Sequence, residues 1–430
     1  MAGGLNFEAG EFGDSGGRGG ILVAEARRAP GFRRIRDAMT LRPRQFAAIA
    51  VAAFCALALA CGRACAAEPR LTPLAVDVLS APAPVMGSDG RRHLVYELRI
   101  DNRSGGEFDL KTIAVIDPAS GAVLLELDRS EIAKRFAIGG SRGAESADLG
   151  LAQFGVLFVH VALPPGEPAP RALTHRIAGY FAKTGADFTM SGGEAAVSSR
   201  RPAVLGPPLL GGGYVAADGC CDSVRHVRAL LTIDGRLALA QRFAIDWEEI
   251  DAEGRVVSGD LKALGSYMIF GKSVLAVDDG TVIAARNDLP EQIPGALPAS
   301  IPLSEADGNF VVLDIGAAYV LYAHMQPGSV MVKAGDNVRR GGVLGKVGNS
   351  GNSQAPHLHL HVTEGPSPIA SNGAPYVFDA FTLTAVDRAG TADFDKAEAT
   401  GSALTLTKVD PPQRLSNMLP LDLSVVDFGP

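Results

Sequence analysis

Short runs of β-prone residues, separated by turn-forming clusters, recur along most of this chain and limit its fold more than any other feature. In the run 93–100, the apolar residues at 94, 96, 98 and 100 would project to one face of a strand. Val95, Glu97 and Arg99 would project to the other face. Similar runs follow at 113–116, 123–127, 156–163 and 173–177. The 51 Gly and 27 Pro residues of the chain supply many turns between such runs. The pattern predicts an all-β fold, with an immunoglobulin-like β-sandwich at residues 68–198.

A stretch rich in Pro and Gly, residues 199–213, interrupts the pattern and is predicted to be a linker. Residues 214–430 are predicted to form a compact antiparallel β domain with a C-terminal extension. Its expected strands are 224–233, 236–247, 274–285, 309–313 and 319–323. An ambiguous helical pattern lies near residues 130–135. The long loop 286–308 is of the kind that is usually functional or mobile.

Residues 39–67, near the start of the chain, form a segment typical of exported proteins. In residues 39–67, Arg42 and Arg44 precede the apolar run Phe46–Cys61, and small residues follow. This is the layout of a cleaved signal peptide, and the alternative is an uncleaved membrane anchor. Residues 1–38 are predicted to be a disordered extension or the result of a misassigned start. We therefore expect an exported protein of the periplasm or cell envelope.

Charge argues against nucleic acid as a partner. The net charge of the chain is −7, and an acidic surface repels a polyphosphate. His93, His160 and His175 lie in or beside the predicted strands of the first domain without a shared spacing. They are interpreted as structural or surface residues.

Two adjacent cysteines, Cys220 and Cys221, lie in the second domain. Neighbouring cysteines rarely bond to each other because their Cα atoms are too close for ordinary disulfide geometry. We expect them to cross-link chains or to stay buried and reduced, and by themselves they cannot form a zinc site.

Three histidines alternate in the segment from His357 to His361. On a strand, His357, His359 and His361 project to one face. Imidazoles held in this way suit a metal ion and a proton-transfer group, and zinc commonly adds a carboxylate ligand. A polar strand face without function, or an adventitious metal-binding tract, would give the same alternation.

The segments around these histidines, together with the histidines themselves, resemble a known protein family. The chain resembles the lysostaphin-type (LytM-like) zinc metallopeptidases, peptidoglycan endopeptidases with the duplicated hybrid motif fold. The resemblance runs from about residue 241 to residue 362. It is carried by the segments 270–282, 308–314, 322–325, 335–345 and 356–359.

The resemblance implies roles for four residues. His359 corresponds to a zinc ligand, and Asp246 to the carboxylate ligand of an H-x-x-x-D motif. His324 and His357 correspond to catalytic histidines that assist water activation and stabilise the tetrahedral intermediate. His361 lies outside the motif, and an outer-shell or surface position is expected for it.

The sequence departs from the family where the first zinc-binding histidine is expected. Arg242 stands there, and a guanidinium has no lone pair to offer a metal. His226 is the one histidine of this domain left to fill the gap. In a two-residue hairpin at Asp234-Gly235 it would point away from Asp246, whereas in a three-residue loop it would face Arg242. Alternatively, Arg242 pairs with Asp246 and neutralises that ligand.

These features predict an exported zinc metalloendopeptidase that hydrolyses peptide amide bonds in bacterial peptidoglycan. One zinc ion is expected at Asp246 and His359, and the hairpin register decides whether His226 supplies the third ligand. The alternative is a catalytically degenerate module that binds cell wall or regulates another cell-wall hydrolase. The expected partners are the peptide of peptidoglycan and, through the N-terminal sandwich, an envelope protein.

Overall fold

A computed structural model describes residues 70–139 and 145–429 of the chain. From Pro73 onward the chain forms one compact unit. The predicted N-terminal extension (1–38) and signal peptide (39–67) lie outside the described residues. Strands dominate the described part, which confirms the prediction of an all-β fold.

The first ten strands form two five-stranded antiparallel sheets. One sheet has the order β1-β3-β8-β6 with β2 paired to β3, and the other has the order β10-β9-β4-β5 with β7 paired to β4. The strands are β1 (Leu74–Val78), β2 (Val85–Met86), β3 (Arg92–Asn102), β4 (Phe108–Ile116), β5 (Val123–Asp128), β6 (Phe136–Ile138), β7 (Asp148–Leu149), β8 (Phe154–Ala162), β9 (Ala172–Phe181) and β10 (Ala186–Ala196). The two sheets share one apolar core. Their assignment to the immunoglobulin-like class stays a prediction.

Helix α1 (Arg129–Arg135) lies between β5 and β6, at the position of the ambiguous helical pattern near residues 130–135. Its N-terminus carries a capping box, in which Asp128 and Glu131 each accept a hydrogen bond from the backbone N–H of the other. Ile132 is its buried residue.

Strand β3 uses both of its faces, as its alternating sequence predicts. Leu94, Tyr96 and Leu98 pack into the core between the two sheets. Val95 belongs to a different core, which is shared with the later part of the chain, and Glu97 is also buried. The first sheet is therefore covered on one face by its own sandwich and on the other by the second part of the protein.

The second part is built on a ten-stranded sheet of order β20-β17-β18-β19-β22-β15-β12-β26-β24-β25. Three two-stranded sheets, β11-β23, β13-β14 and β16-β21, complete it. The strands are β11 (Ala203–Leu205), β12 (Tyr214–Ala217), β13 (Leu231–Ile233), β14 (Arg236–Ala238), β15 (Ile245–Glu249), β16 (Ser273–Leu275), β17 (Gly280–Arg286), β18 (Asn309–Asp314), β19 (Tyr319–Met325), β20 (Asn337–Val338), β21 (Val343–Lys346), β22 (Leu358–Thr363), β23 (Tyr376–Phe378), β24 (Phe381–Asp387), β25 (Leu406–Leu415) and β26 (Ser424–Asp427).

Two of the predicted strands are much shorter in the structure. The expected strand 224–233 is reduced to β13, and the expected strand 236–247 is divided into β14 and the start of β15. The segment 218–230 between β12 and β13 contains turns and bends instead of a strand. We call this segment the cysteine loop because it carries Cys220 and Cys221.

A second helix, α2 (Thr391–Thr400), was not predicted from the sequence. Phe394 and Ala397 bury its inner face against a core that includes Val215 and Ala355. The domain boundaries at residues 198 and 214 stay predictions. Within the described residues, neither helix is long and apolar enough to cross a membrane.

Candidate metal centre

Strand register brings Asp246 and His359 together. In the antiparallel pair β15–β22, Asp246 lies directly opposite His359. The Nδ1 atom of His359 is 2.7 Å from Oδ1 of Asp246. The side chains of such opposed residues project to the same face of a sheet, so the register alone explains this contact.

His226 reaches the same carboxylate from the cysteine loop. Its Nε2 atom is 3.3 Å from Oδ2 of Asp246, and its Nδ1 donates a hydrogen bond of 2.9 Å to the carbonyl of Asp218. The hairpin does have the two-residue turn, since Ile233 pairs with Arg236. The expectation that this register turns His226 away is nevertheless wrong. Strand β13 begins only at Leu231, so strand alternation does not extend back to residue 226.

Arg242 does not pair with Asp246, so that alternative is also wrong. Its Nε and Nη2 atoms each donate a hydrogen bond of 2.7 Å to the carboxylate of Glu97 on β3. Its Nη1 donates to the carbonyl of Gly373 at 2.8 Å. All three donors point away from the candidate metal centre, which leaves the Asp246 carboxylate free for the histidines.

His324 and His357 stand beside these three residues, with ring centroids 4.7 Å apart. The Nδ1 of His324 donates to the carbonyl of Ser350 at 2.8 Å, and the Nδ1 of His357 donates to the carbonyl of Ala355 at 2.8 Å. Each ring thus keeps Nε2 as its acceptor, and Nε2 of His357 lies 3.5 Å from Oδ1 of Asp246.

The backbone of His324 adopts a conformation that is uncommon for a residue with a side chain. Its φ angle is +61°. Such angles persist where the surroundings hold them, and they cluster at functional sites. Here the N–H of His324 donates to the carbonyl of Asp307 at 3.0 Å.

His361 is 1% exposed, and its ring contacts the ring of His359. Its Nδ1 is 2.8 Å from Nε2 of His359, and its Nε2 donates to the carbonyl of Pro368 at 3.0 Å. Because the carbonyl accepts, Nδ1 of His361 must accept a hydrogen from Nε2 of His359. The lone pair of His359 Nδ1 is then directed at Asp246. His361 therefore has the outer-shell position expected for it, and the surface alternative is wrong.

The donor set fits a zinc ion. One ligand atom from each of His226, Asp246 and His359 lies within 4.8 Å of the other two. The Asp218 carbonyl fixes the ring of His226, and His361, held by the Pro368 carbonyl, fixes the ring of His359. Both imidazoles then direct a lone pair at the Asp246 carboxylate, an arrangement that repels unless a cation lies between them. Two nitrogens and a carboxylate oxygen are a common zinc ligand set, and they leave a fourth position open.

In the protein without metal, a proton takes the place of that cation. Burial favours neutral His226, but the charge of Asp246 and the hydrogen bond to it raise the pKa of His226 to about 9. Burial likewise favours a protonated Asp246, but the charge of His226 and its hydrogen bond to this carboxylate hold the pKa of Asp246 well below the usual range. Burial lowers the pKa of both His324 and His359.

The three histidines of the first domain were expected to be structural or surface residues. His175 fits this description, because its ring bonds to the Tyr96 hydroxyl at 2.8 Å and to the Gly193 carbonyl at 3.0 Å. His93 and His160 contact one another and lie near Cys221. Burial, with the charge of His93, lowers the pKa of His160 to about 3.

The two cysteines of the cysteine loop form a disulfide with each other. The expectation that Cys220 and Cys221 would stay reduced or cross-link chains is therefore wrong. Their Cα atoms are 2.9 Å apart, and the peptide bond between them is cis.

Comparison with known families identifies the part of the chain that contains most of this site. Residues 265–371 match the model of peptidase family M23. This segment is similar to peptidase family M23. The resemblance to lysostaphin-type peptidases is thereby confirmed. The M23 segment includes His324, His357, His359 and His361, whereas His226 and Asp246 precede it.

One curated relative is endolysin 2638A of Staphylococcus phage 2638A, which is 33% identical to this chain over 79 residues. The match covers 18% of this chain and only 16% of the endolysin.

Two solved structures are also similar to the chain. The catalytic domain of lysostaphin from Staphylococcus simulans is 21% identical, with 37% of this chain and 86% of that domain covered at a TM-score of 0.20. A zinc-containing peptidase from Vibrio cholerae is 16% identical, with 67% and 81% covered at a TM-score of 0.20.

Proposed function

We propose that the chain is an exported zinc metalloendopeptidase that hydrolyses peptide amide bonds in bacterial peptidoglycan. The observation that carries the proposal is the convergence of His226, Asp246 and His359 beside two further imidazoles. The similarity of residues 265–371 to family M23 supports peptide hydrolysis as the reaction. A zinc ion bound at this centre would act as a Lewis acid and lower the pKa of water.

The protein's own residues supply the proton chemistry. His357 and His324 both present an unprotonated Nε2, because their Nδ1 atoms donate to backbone carbonyls. His357 lies on the Asp246 side and is placed to accept a proton from the attacking water. A histidine that has taken up a proton can donate a hydrogen bond to the scissile carbonyl oxygen as that oxygen becomes negative. It can later give the proton to the leaving amine.

The rigid framework orients these groups before substrate arrives. The carbonyl of Ser350 fixes the ring of His324, and the Ser353 hydroxyl lies 3.3 Å from Nδ1 of His357. The segment 291–295 of the long loop is hydrogen-bonded to residues 349–354, which lead into His357. This loop therefore supports the segment that leads into His357.

Export and a cell-envelope location are part of the proposal. They are supported by the basic and apolar residues of segment 39–67. Fractionation of a producing bacterium should place the processed protein outside the cytoplasm, and a cytoplasmic protein that retains residues 39–67 would contradict export. An envelope protein partner for the N-terminal sandwich also stays a proposal.

The test uses the chain from residue 68 and purified peptidoglycan. We expect about one zinc per chain by elemental analysis and release of peptide amine groups from the wall. His359→Ala should lose both zinc and activity. His324→Ala should keep zinc and lose about 10²–10⁴-fold in rate, because it removes only a proton-transfer group.

A protein that binds the wall without zinc and without cleavage would overturn the proposal. That result would support the alternative of a degenerate wall-binding or regulatory module. Full activity of His359→Ala would show that the assigned ligand set is wrong.

A further inference from the structure

A group of side chains of metal-ligating types lies where the sandwich meets the cysteine loop. His93 on β3 and His160 on β8 are in direct contact, with Nδ1 of His93 2.9 Å from Nε2 of His160. One ring nitrogen of each lies within 4.8 Å of Sγ of Cys221 and of the other. No residue of this group belongs to the candidate metal centre at Asp246.

We propose that reduction of the Cys220–Cys221 disulfide creates a second metal site, in which the Cys221 thiolate, His93 and His160 bind one Zn²⁺ ion. The site is redox-dependent because a disulfide sulfur carries no charge, whereas the thiolate is the form that binds metals.

The geometry of the group suits zinc with little movement. Bonds of about 2.0–2.3 Å to nitrogen and sulfur in a tetrahedral site place neighbouring ligand atoms about 3–4 Å apart. The nitrogen pair at 2.9 Å and the group limit of 4.8 Å are close to this spacing. His93 and Cys221 are 3% and 5% exposed, so a bound ion would be largely shielded from water.

The surroundings of His93 resemble those of a metal-binding histidine. Its Nε2 is 3.0 Å from Oδ1 of Asp89. A carboxylate on the outer nitrogen of a ligating histidine fixes the ring and increases its basicity. With the hydrogen of Nε2 donated to Asp89, Nδ1 of His93 accepts the hydrogen on Nε2 of His160. Binding of the ion would move that hydrogen to Nδ1 of His160, so that the two facing nitrogens both present lone pairs.

Two arginines lie near this group, and both have other partners. Arg91 donates to the carbonyls of Leu163 and Ala162. Arg135 forms an ion pair with Asp222, which follows the cysteines in the loop. The Asp222 carboxylate offsets the charge of Arg135 and so reduces the electrostatic repulsion between this guanidinium and a bound Zn²⁺ ion.

The chemistry balances with a dithiol reductant. The dithiol transfers two electrons and two protons to the Cys220–Cys221 bond, which gives two cysteine thiols and the oxidised reductant. Cys221 then releases one proton as it binds Zn²⁺. Oxidation of the two cysteines reverses both steps and releases the ion.

The experiment compares zinc content between redox states of the chain from residue 68, which contains the whole compact unit. One sample is oxidised, and the other is reduced with a phosphine that is then removed without air. Both are equilibrated with zinc chloride and desalted. We expect about one more zinc per chain in the reduced sample. Because the readout is a difference, it does not depend on whether the Asp246 centre binds zinc.

Two matched variants identify the ligand. Cys220→Ser leaves Cys221 as a free thiol, so the extra zinc should bind without any reductant. Cys221→Ser removes the thiolate and should bind no extra zinc in either state. With Co²⁺ in place of Zn²⁺, the reduced protein and Cys220→Ser should show a thiolate-to-cobalt charge-transfer band.

Equal zinc content in the two redox states of the wild-type chain would overturn the proposal. So would an extra zinc that persists in Cys221→Ser or in the double variant His93→Gln/His160→Gln, because the ion would then bind elsewhere. If Cys221→Ser fails to fold, the result with Cys220→Ser and the cobalt band still decide.

Discussion

Arg242 stands four residues before Asp246, where lysostaphin-type peptidases have a metal-binding histidine, and its side chain bonds to Glu97 and Gly373 instead. The imidazole that lies beside Asp246 comes from His226, on a loop. The position of a metal ligand that lies on a loop depends on the contacts that hold the loop in place. Here the carbonyl of Asp218 fixes the ring, and Arg225 ties the loop to Asp395 on α2.

Replacing this histidine tests its role directly. We expect His226→Ala to lower zinc affinity by at least about 10–100-fold, since loss of an outer-shell partner alone typically costs that much. Zinc competition with a coloured chelator measures the change. Val224→Ala is the matched control, because Val224 is 61% exposed on the same loop. Unchanged zinc affinity in His226→Ala would remove this residue from the ligand set.

The raised pKa of His226 predicts how the metal-free protein responds to pH. Its pKa is about 9 in the folded protein and 6.5 in the reference state. The ion pair with Asp246 therefore contributes its full stability below pH 6.5, and this contribution is lost as pH rises through 9. Urea unfolding with chelator should show a stability difference between wild type and His226→Gln that shrinks over this range. A constant difference would contradict the assignment.

Much of the site follows from the sequence. Strand alternation predicts that His357, His359 and His361 share a face, and the family resemblance adds Asp246 and His324. The position of His226 could not be predicted, because it depends on where β13 begins and on long-range contacts of the cysteine loop. The hydrogen bond from His359 to His361 follows from the position of Pro368, which no local pattern specifies.

At the level of elements, β3 is the strand that joins the two parts of the protein. Its residues 94, 96 and 98 lie in the sandwich core, and Glu97 carries a buried ion pair to Arg242 on the opposite face. The alternation of side chains along this strand could be predicted from the sequence. The burial of its polar face could not be predicted, because Glu97 and Arg242 are far apart in the chain.

Removing one partner of this buried pair should be costly. Glu97→Ala leaves an uncompensated guanidinium, 3% exposed, and should destabilise the chain by about 3–5 kcal/mol in urea unfolding. Lys111→Ala removes an exposed ion pair with Asp187 and should cost about 1 kcal/mol or less.

A double variant, Glu97→Leu/Arg242→Met, separates charge from packing. An apolar pair of similar volume should recover much of the lost stability, because neither charge remains buried. If Glu97→Ala is as stable as wild type, the ion pair does not hold the two parts together.

At the level of the whole molecule, the sandwich and the M23 segment lie in one compact unit from Pro73 onward. Apolar contacts cross from one part to the other, since Leu239 packs with Val156 and Phe158 of β8. The second part therefore has a large surface that the sandwich covers.

We expect a fragment of residues 199–430 to be less stable than the chain from residue 68. The fragment exposes the surface that β3 and β8 cover and leaves Arg242 without Glu97. Its urea midpoint should be lower, and it should aggregate when concentrated, because exposed apolar patches associate. An equal midpoint and a monomeric fragment would show that the parts fold independently.

The central position of β26 in the ten-stranded sheet determines when that sheet can be completed during synthesis. Residues 424–427 lie between β12 and β24, although they are made last among the described strands. Until they emerge, β12 has an unpaired edge two strands from His359. The ten-stranded sheet that carries His359 is therefore complete only once residues 424–427 have been synthesised.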